Sequence, residues 1–183
     1  SAQQERMALV GQEVDRMIQM LNSLLDQAHQ KPEPVREVHL NKAIEDLLAL
    51  ARYQIPAHIG LHHDIKAEIV CRLPDIGLRQ ALLNLILNAQ QALADQPGTI
   101  TLQAHTENGI LLINVCDDGP GFPPEVLQDG IRTFNTQRTG GTGLGLSMVQ
   151  RFVRNLGGKL RLSNQQPHGA CVTLQLNCVT HHA

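Results

Sequence analysis

Residues 79–93 read RQALLNLILNAQQAL, a run that is apolar almost all round a helix except for one stripe of amides. The stripe consists of side chains separated by four, four and three residues: Gln80, Asn84, Asn88 and Gln91. Such spacing places all of them on one helix face. Because a buried amide without a partner is costly, we expect something polar to lie against the stripe. The alternative interpretation is the solvent-facing side of an amphipathic helix.

Hydrophobic periodicity on both sides of this run alternates between helix and strand. It predicts helices over about 40–56, 74–94 and 144–156, and strands over 59–65, 68–73, 99–105, 110–116, 159–163 and 170–176. Asn108-Gly109 lies between two of the strands and is a strong hairpin signal. The sequence therefore predicts an α+β fold, a two-layer sandwich of helices on a mixed, largely antiparallel sheet.

The first segment has a separate pattern, with apolar residues at alternating spacings of three and four: Met7, Val10, Val14, Met17, Leu21, Leu24 and Ala28. Ile18 and Leu25 widen this seam, which favours a helix of a four-helix bundle whose partners lie outside the chain. An ordinary packing helix is the alternative. Pro32 and Pro34 end the helix, so we divide the chain into residues 1–33 and a globular domain, 34–180.

Composition limits the classes of function. The chain has 183 residues, a net charge of -2 and 2% aromatic residues, which disfavours nucleic-acid binding. Its cysteines are widely spaced without a CxxC pair: Cys71, Cys116, Cys171 and Cys178. We interpret them as small buried apolar residues in a reducing compartment. No apolar run approaches the roughly 20 residues that cross a bilayer.

Two glycine-rich segments have the chemistry of ligand binding. Residues 117–121 read DDGPG directly after a predicted strand, so a carboxylate at a strand end is followed by glycines that allow close approach of a ligand. A plain turn is the alternative, and the ligands of a calcium loop are missing. Residues 139–145 read TGGTGLG before a helix, which exposes backbone N–H groups suited to phosphate. The P-loop, dinucleotide and protein-kinase motifs are absent from the sequence.

In this order the motifs resemble those of the ATPase and kinase superfamily that includes histidine kinases, gyrase, the mismatch-repair ATPase and a heat-shock chaperone. Residues 82–89 resemble the N box of histidine kinases, 117–121 the first glycine box, 134–138 a shortened F box, and 141–145 the second glycine box. The resemblance covers about residues 40–176. It implies a Bergerat-type ATP-binding fold, preceded here by one bundle helix.

The resemblance also implies roles for individual residues. Asp117 would accept the exocyclic amine of adenine, Asn88 would bind Mg²⁺, and Arg138 would clamp the γ-phosphate of ATP, with Asn84 as a further catalytic position. The other implied nucleotide contacts are Gly119, Gly121, Phe134, Gly141, Thr142, Gly143, Leu144, Gly145 and Thr173. Residues 122–140 would form a lid that orders around the nucleotide.

Asn84 favours phosphotransfer over hydrolysis. Members of the superfamily that hydrolyse ATP carry a glutamate one turn before the magnesium asparagine, and an amide cannot act as that general base. One segment and two single residues depart from the family pattern. Residues 131–133 read IRT where the F box has its first phenylalanine and proline, which affects the expected lid. Leu156 stands where a histidine is common, and Gln91 replaces a basic residue, which would lower the affinity for phosphate.

The first segment is similar to the second helix of the family's dimerisation and phosphoacceptor hairpin. No histidine of the chain has the phosphoacceptor pattern, and His29, followed by Pro32, is only a weak candidate. We therefore expect the phosphoacceptor helix to precede this chain. The implied partners are that missing helix, a response-regulator receiver domain and a second copy joined through the first helix. We expect a cytoplasmic location, with or without a membrane anchor in the full-length protein.

Other functions remain open. A serine-directed kinase of the anti-sigma type would use the same pocket, but the bundle helix argues against it. A nucleotide-sensing module that transfers nothing is compatible with the altered F box. A gyrase-like motor is disfavoured by Asn84.

Overall fold

The computed structural model describes residues 2–28, 32–129 and 144–178. Its helices are α1 (Ala2–Ala28), α2 (Leu40–Ala51), α3 (Asp75–Leu93), α4 (Pro124–Asp129) and α5 (Leu144–Asn155). Its strands are β1 (Arg36–His39), β2 (Ile59–Asp64), β3 (Val70–Leu73), β4 (Gly98–Glu107), β5 (Ile110–Asp117), β6 (Lys159–Asn164) and β7 (Ala170–Asn177).

The main sheet has five strands in the order β2-β4-β5-β7-β6. β2 runs parallel to β4, and the other neighbours are antiparallel. β1 and β3 form a separate two-stranded antiparallel ladder. The predicted hairpin between β4 and β5 turns at Asn108 and Gly109, which both have positive φ angles of 52° and 77°. The prediction of a mixed, largely antiparallel sheet is confirmed.

One hydrophobic core joins the helices to one face of the sheet. α3 contributes Leu78, Leu82, Leu85 and Ile86, each at most 2% exposed. The facing side chains come from alternate positions of the strands and from α5: Ile100, Leu102, Leu111, Ile113, Val149, Val153 and Leu174. Since burial of one such side chain stabilises the fold by about 1.5–3 kcal/mol, this layer accounts for much of the driving force. The predicted two-layer sandwich is confirmed.

The structure differs from the predicted elements in three places. β1 was not predicted, because its four residues include a single buried apolar side chain, Val38, and its partner β3 lies far along the chain. α4 lies within the segment predicted to be a lid without periodicity. α2 ends at Ala51, and the buried Ile55, which extended the predicted helix to Pro56, follows in a turn that donates its N–H to Ala51 O at 3.0 Å.

The cysteines are buried as predicted, with exposures of 9% or less, but the interpretation as separate apolar residues is wrong. Cys71 of β3 forms a disulfide with Cys178, and Cys116 of β5 forms one with Cys171 of β7. The paired residues are 107 and 55 positions apart in the sequence. Cys116 and Cys171 lie opposite each other in the β5–β7 ladder, so strand pairing brings them together. Cys71 of β3 and Cys178, which follows β7, share no ladder and meet through packing of segments that are distant in the sequence. Spacing along the chain contains no such signal.

α1 exposes most of the seam predicted from its spacing. These apolar side chains are between 48% and 72% exposed: Met7, Val10, Val14, Met17, Leu21 and Leu24. A row of exposed apolar side chains of this length is typical of a surface that packs against another helix, and the bundle interpretation stays a prediction. Among the described residues, no helix is both long enough and apolar enough to cross a membrane.

Candidate nucleotide-binding site

Asp117 ends β5, which is the middle strand of the five. Its side chain is 5% exposed, and it is the only polar or charged residue among the buried residues in the described ranges. The carboxylate Oδ1 accepts the backbone N–H of Gly119 at 2.9 Å and that of Ala170 at 3.5 Å. A buried carboxylate fixed by backbone donors is suited to bind a ligand of defined polarity, because it cannot turn away or exchange freely with water.

The loop after Asp117 is held by the hairpin between β6 and β7. Asn164 Oδ1 accepts the N–H of Phe122 at 2.7 Å, and Asn164 Nδ2 donates to the carbonyl of Phe122 at 2.9 Å. Gln165 Nε2 donates to the carbonyl of Asp117 at 3.2 Å, and His168 Nδ1 lies 3.3 Å from the carbonyl oxygen of Gly119. Sequence reasoning missed these supports, because the two segments are more than 40 residues apart along the chain.

Two glycines permit this close packing. Gly169 has a φ of 121°, and a Cβ there would overlap the carbonyl oxygen of Asp117. Gly121 has a φ of 85°, and a Cβ there would lie 2.9 Å from Asn164 Oδ1. Both positions therefore require glycine, for backbone conformation and for close approach. At Gly121, the absence of a side chain allows the loop to contact Asn164 of the hairpin between β6 and β7.

α3 lies beside both this loop and the beginning of α5. A Cβ on Gly119 would lie 3.6 Å from the carbonyl oxygen of Ala92, in the last turn of α3. One turn earlier, about 6 Å along the helix axis, Asn88 lies beside Gly145, since a Cβ on Gly145 would be 3.3 Å from Asn88 Oδ1. Asn84 is half-buried on the preceding turn. Among the described residues, α3 thus borders the loop after Asp117 through the Ala92 carbonyl and the beginning of α5 through Asn88, one member of the amide stripe.

Thr173 is not brought to the other predicted residues. Its hydroxyl donates to Asn114 Oδ1 at 2.8 Å. Because side chains alternate along a strand, Asn114 and Asp117 of β5 point to opposite faces of the sheet, and Thr173 lies on the face away from Asp117. Several predicted residues lie outside the described ranges: Phe134, Arg138, Gly141, Thr142 and Gly143. Leu144 is the first residue of α5. The nucleotide contacts assigned to these six remain predictions.

Comparison with known proteins agrees with this arrangement. Residues 74–180, more than half of the chain, match the family described as histidine kinase-, DNA gyrase B-, and HSP90-like ATPase. The chain belongs to this family. The resemblance drawn from the sequence motifs is therefore confirmed, and the chain carries an ATP-binding catalytic domain of the histidine-kinase type.

Similar curated proteins are sensor histidine kinases. The chain is 29% identical over 172 residues to the sensory histidine kinase/phosphatase NtrB of Salmonella typhimurium, which covers 86% of this chain and 48% of NtrB. It is 32% identical over 173 residues to the sensor histidine kinase ZraS of Salmonella typhi, covering 92% of this chain and 37% of ZraS. The chain thus spans about half or less of the length of these relatives.

Solved structures support the fold. The nucleotide-free catalytic domain of the histidine kinase ThkA has a TM-score of 0.72 and 25% identity, over 79% of this chain and 95% of that one. Full-length ShkA in complex with AMPPNP has a TM-score of 0.80 and 22% identity, over 100% of this chain and 40% of that one. The second likeness shows the fold alone.

Proposed function

We propose that this chain is the catalytic part of a sensor histidine kinase, which transfers the γ-phosphoryl group of ATP to a histidine outside these residues. The observation that supports this function best is the position of α3. Its last turn borders the loop of the buried Asp117, and Asn88, one turn earlier, contacts Gly145 at the beginning of α5. The proposed base-binding residue and the proposed magnesium ligand are thus positioned along one helix, as binding of a single nucleotide requires.

Asp117 is proposed to select adenine. One oxygen of its carboxylate is held by the backbone of Gly119 and Ala170, which fixes the direction of the group. The exocyclic amine of adenine can donate to a carboxylate, whereas guanine presents a carbonyl oxygen at the same place and would be repelled. Burial strengthens this discrimination, because water cannot substitute for the missing donor.

Asn88 is proposed to bind Mg²⁺ together with the nucleotide. An amide oxygen is a suitable ligand for this cation, which usually keeps several waters and takes its other ligands from substrate phosphates. The described residues hold no group of three or more His, Cys, Asp or Glu side chains able to bind a metal ion. Mg²⁺ would offset the negative charge of the phosphates. The predicted clamp Arg138 would act on the same group.

Asn84 is proposed to limit hydrolysis. It lies one turn before Asn88 on α3, and its amide cannot take a proton from water. In the proposed transfer, an imidazole nitrogen of the acceptor bonds to the γ-phosphorus, the bond from that phosphorus to the bridging oxygen breaks, ADP leaves, and the imidazole proton passes to solvent. Because imidazole is a better nucleophile than water, the acceptor does not need a general base to the same degree. Correct positioning of its nitrogen against the γ-phosphorus supplies most of the lowering of the activation barrier.

The proposed partners follow from α1. We propose that residues 1–33 pair with a phosphoacceptor helix outside these residues and with a second copy of the chain, and that 34–180 is the catalytic domain. The exposed apolar row on α1 supports such packing. A response-regulator receiver domain is the proposed final acceptor, and ThkA, a neighbour with 19% identity, has been solved in complex with its response regulator TrrA.

ATP as substrate places the proposed activity in the cytoplasm. Disulfides are rare in that compartment. Reduction of a disulfide requires a thiolate to reach one of its sulfur atoms. All four cysteines are 9% exposed or less, so a thiolate in solution would have little access to either disulfide.

The test of this proposal is transfer to a supplied acceptor. Incubated alone with radiolabelled ATP and Mg²⁺, the chain should not label itself on histidine, because none of its histidines has the phosphoacceptor pattern. Addition of a helical hairpin that carries the pattern should give acid-labile label on that hairpin. ATP hydrolysis should stay below the roughly 1–1000 per second of typical enzymes.

The same assay with Asp117→Asn is the control and, at an ATP concentration that does not saturate the variant, should give far less label than the parent chain. Acid-labile labelling of the isolated chain would contradict the assignment of the acceptor to another segment. Binding of ATP without transfer to any supplied acceptor would instead favour the nucleotide-sensing module.

A further inference from the structure

Within the loop at residues 117–122, the hydrogen bond from the Gly119 N–H to Asp117 Oδ1 holds the side next to β5. The loop reads DDGPGF, and two of its residues are glycines. Asp118 fixes one side of it, since its Oδ1 accepts the N–H of Thr99 at 2.7 Å. The far side, at Gly121 and Phe122, is bound by the hairpin between β6 and β7. The shape of the far side of the loop therefore depends on contacts made from outside it.

We infer that Asn164 is a positioning residue for the adenine end of the proposed site. Its amide accepts from the N–H and donates to the C=O of Phe122, at 2.7 and 2.9 Å. This is the pairing that a neighbouring strand would make, but it comes from a single side chain at the end of β6. The inference rests on the proposed function, because it assigns Asn164 a role in the same nucleotide site.

The position of Phe122 explains why this pairing matters for binding. Phe122 packs against the hydrophobic core at the point where the chain leaves the loop toward α4. Gly121, with its φ of 85°, lies directly against the Asn164 amide. A shift of Phe122 would therefore move Gly121 and Gly119, and the Gly119 N–H orients the Asp117 carboxylate. Asn164 acts on the nucleotide through this chain of contacts.

Asn164 itself is exposed and outside the core, so its removal should affect binding more than folding. We expect Asn164→Ala to weaken ATP binding about 10-fold, the effect of losing one or two hydrogen bonds of ordinary net strength. ADP measured without metal should lose the same factor, because the change affects the base end. The ratio of ATP affinities with and without Mg²⁺ should stay as in the parent chain, since Asn88 is unaltered.

Two variants separate this role from a general effect on structure. Asn164→Asp keeps an acceptor for the Phe122 N–H but sets a carboxylate oxygen against the Phe122 carbonyl, so it should bind at least as weakly as Asn164→Ala. Asn177→Ala removes an exposed asparagine at the other end of the same hairpin, and it should bind like the parent. Calorimetric titration gives the affinities, and thermal unfolding without nucleotide should give midpoints close to that of the parent for all variants.

The outcomes are distinct. Unchanged ATP and ADP affinity in Asn164→Ala, beside a parent chain that binds both, would overturn the inference and leave the proposed function intact. A lowered unfolding midpoint with unchanged affinity would make Asn164 structural only and would also overturn it. A parent chain that binds no adenine nucleotide would overturn the proposed function together with the inference.

Discussion

Asp117→Asn is expected to lower the affinity for ATP by about 100-fold or more with little change in the fold. The asparagine oxygen can still accept the N–H of Gly119, which the carboxylate does now at 2.9 Å. Its NH₂ group must then face the ligand, where it meets the donor of the adenine amine. Two opposed donors in a buried site cost about 3 kcal/mol or more, and each 1.4 kcal/mol is a factor of ten in affinity.

Calorimetry with ATP measures this effect, and thermal unfolding without nucleotide verifies the fold. Asp118→Asn is the matched control. Asp118 is exposed and directly follows Asp117, so this variant loses the same negative charge at the neighbouring position. The amide oxygen of the new asparagine can keep the hydrogen bond from the N–H of Thr99. Near-parental affinity in Asp117→Asn would show that the adenine contact is assigned to the wrong residue.

Asn88→Ala is expected to remove the magnesium-dependent part of ATP affinity. Asn88 lies against Gly145, so truncation to alanine introduces no clash and takes away the proposed oxygen ligand. With Mg²⁺ present we expect a loss of about 10-fold or more, typical of losing a hydrogen bond to a charged group. In EDTA the variant and the parent should bind equally.

The measurement is a pair of titrations for each protein, one with Mg²⁺ and one with EDTA. Gln91→Ala serves as control, since Gln91 is an exposed amide on the same stripe of α3 and has no proposed ligand role. An undiminished effect of Mg²⁺ in Asn88→Ala would remove Asn88 as the proposed ligand.

The sequence predicted those parts of the fold that depend on local pattern. The pattern of apolar residues in α3 and the Asn108-Gly109 turn are each encoded by residues close together in the sequence, and both appear in the structure. The amide stripe was informative for the same reason, because a polar row on an otherwise core-facing helix requires a partner. The beginning of α5 at Gly145 supplies part of it.

Features that depend on strand register could not be predicted. The face on which Thr173 lies follows from its pairing with Asn114 in the β5–β7 ladder, and motif order along the chain does not encode that register. The cysteine pairs and the contact of Asn164 with Phe122 depend on contacts between segments that are distant in the sequence, which motif order does not encode either. β1 escaped prediction because a four-residue strand is too short to show a period.

Titration of the chain with ATP, with and without Mg²⁺ and beside GTP, tests the central claim most directly. The account predicts one ATP site, tighter binding when Mg²⁺ is present, and much weaker binding of GTP, because Asp117 can accept from an amine but repels a carbonyl. No heat of binding with ATP, or equal affinity for ATP and GTP, would contradict it.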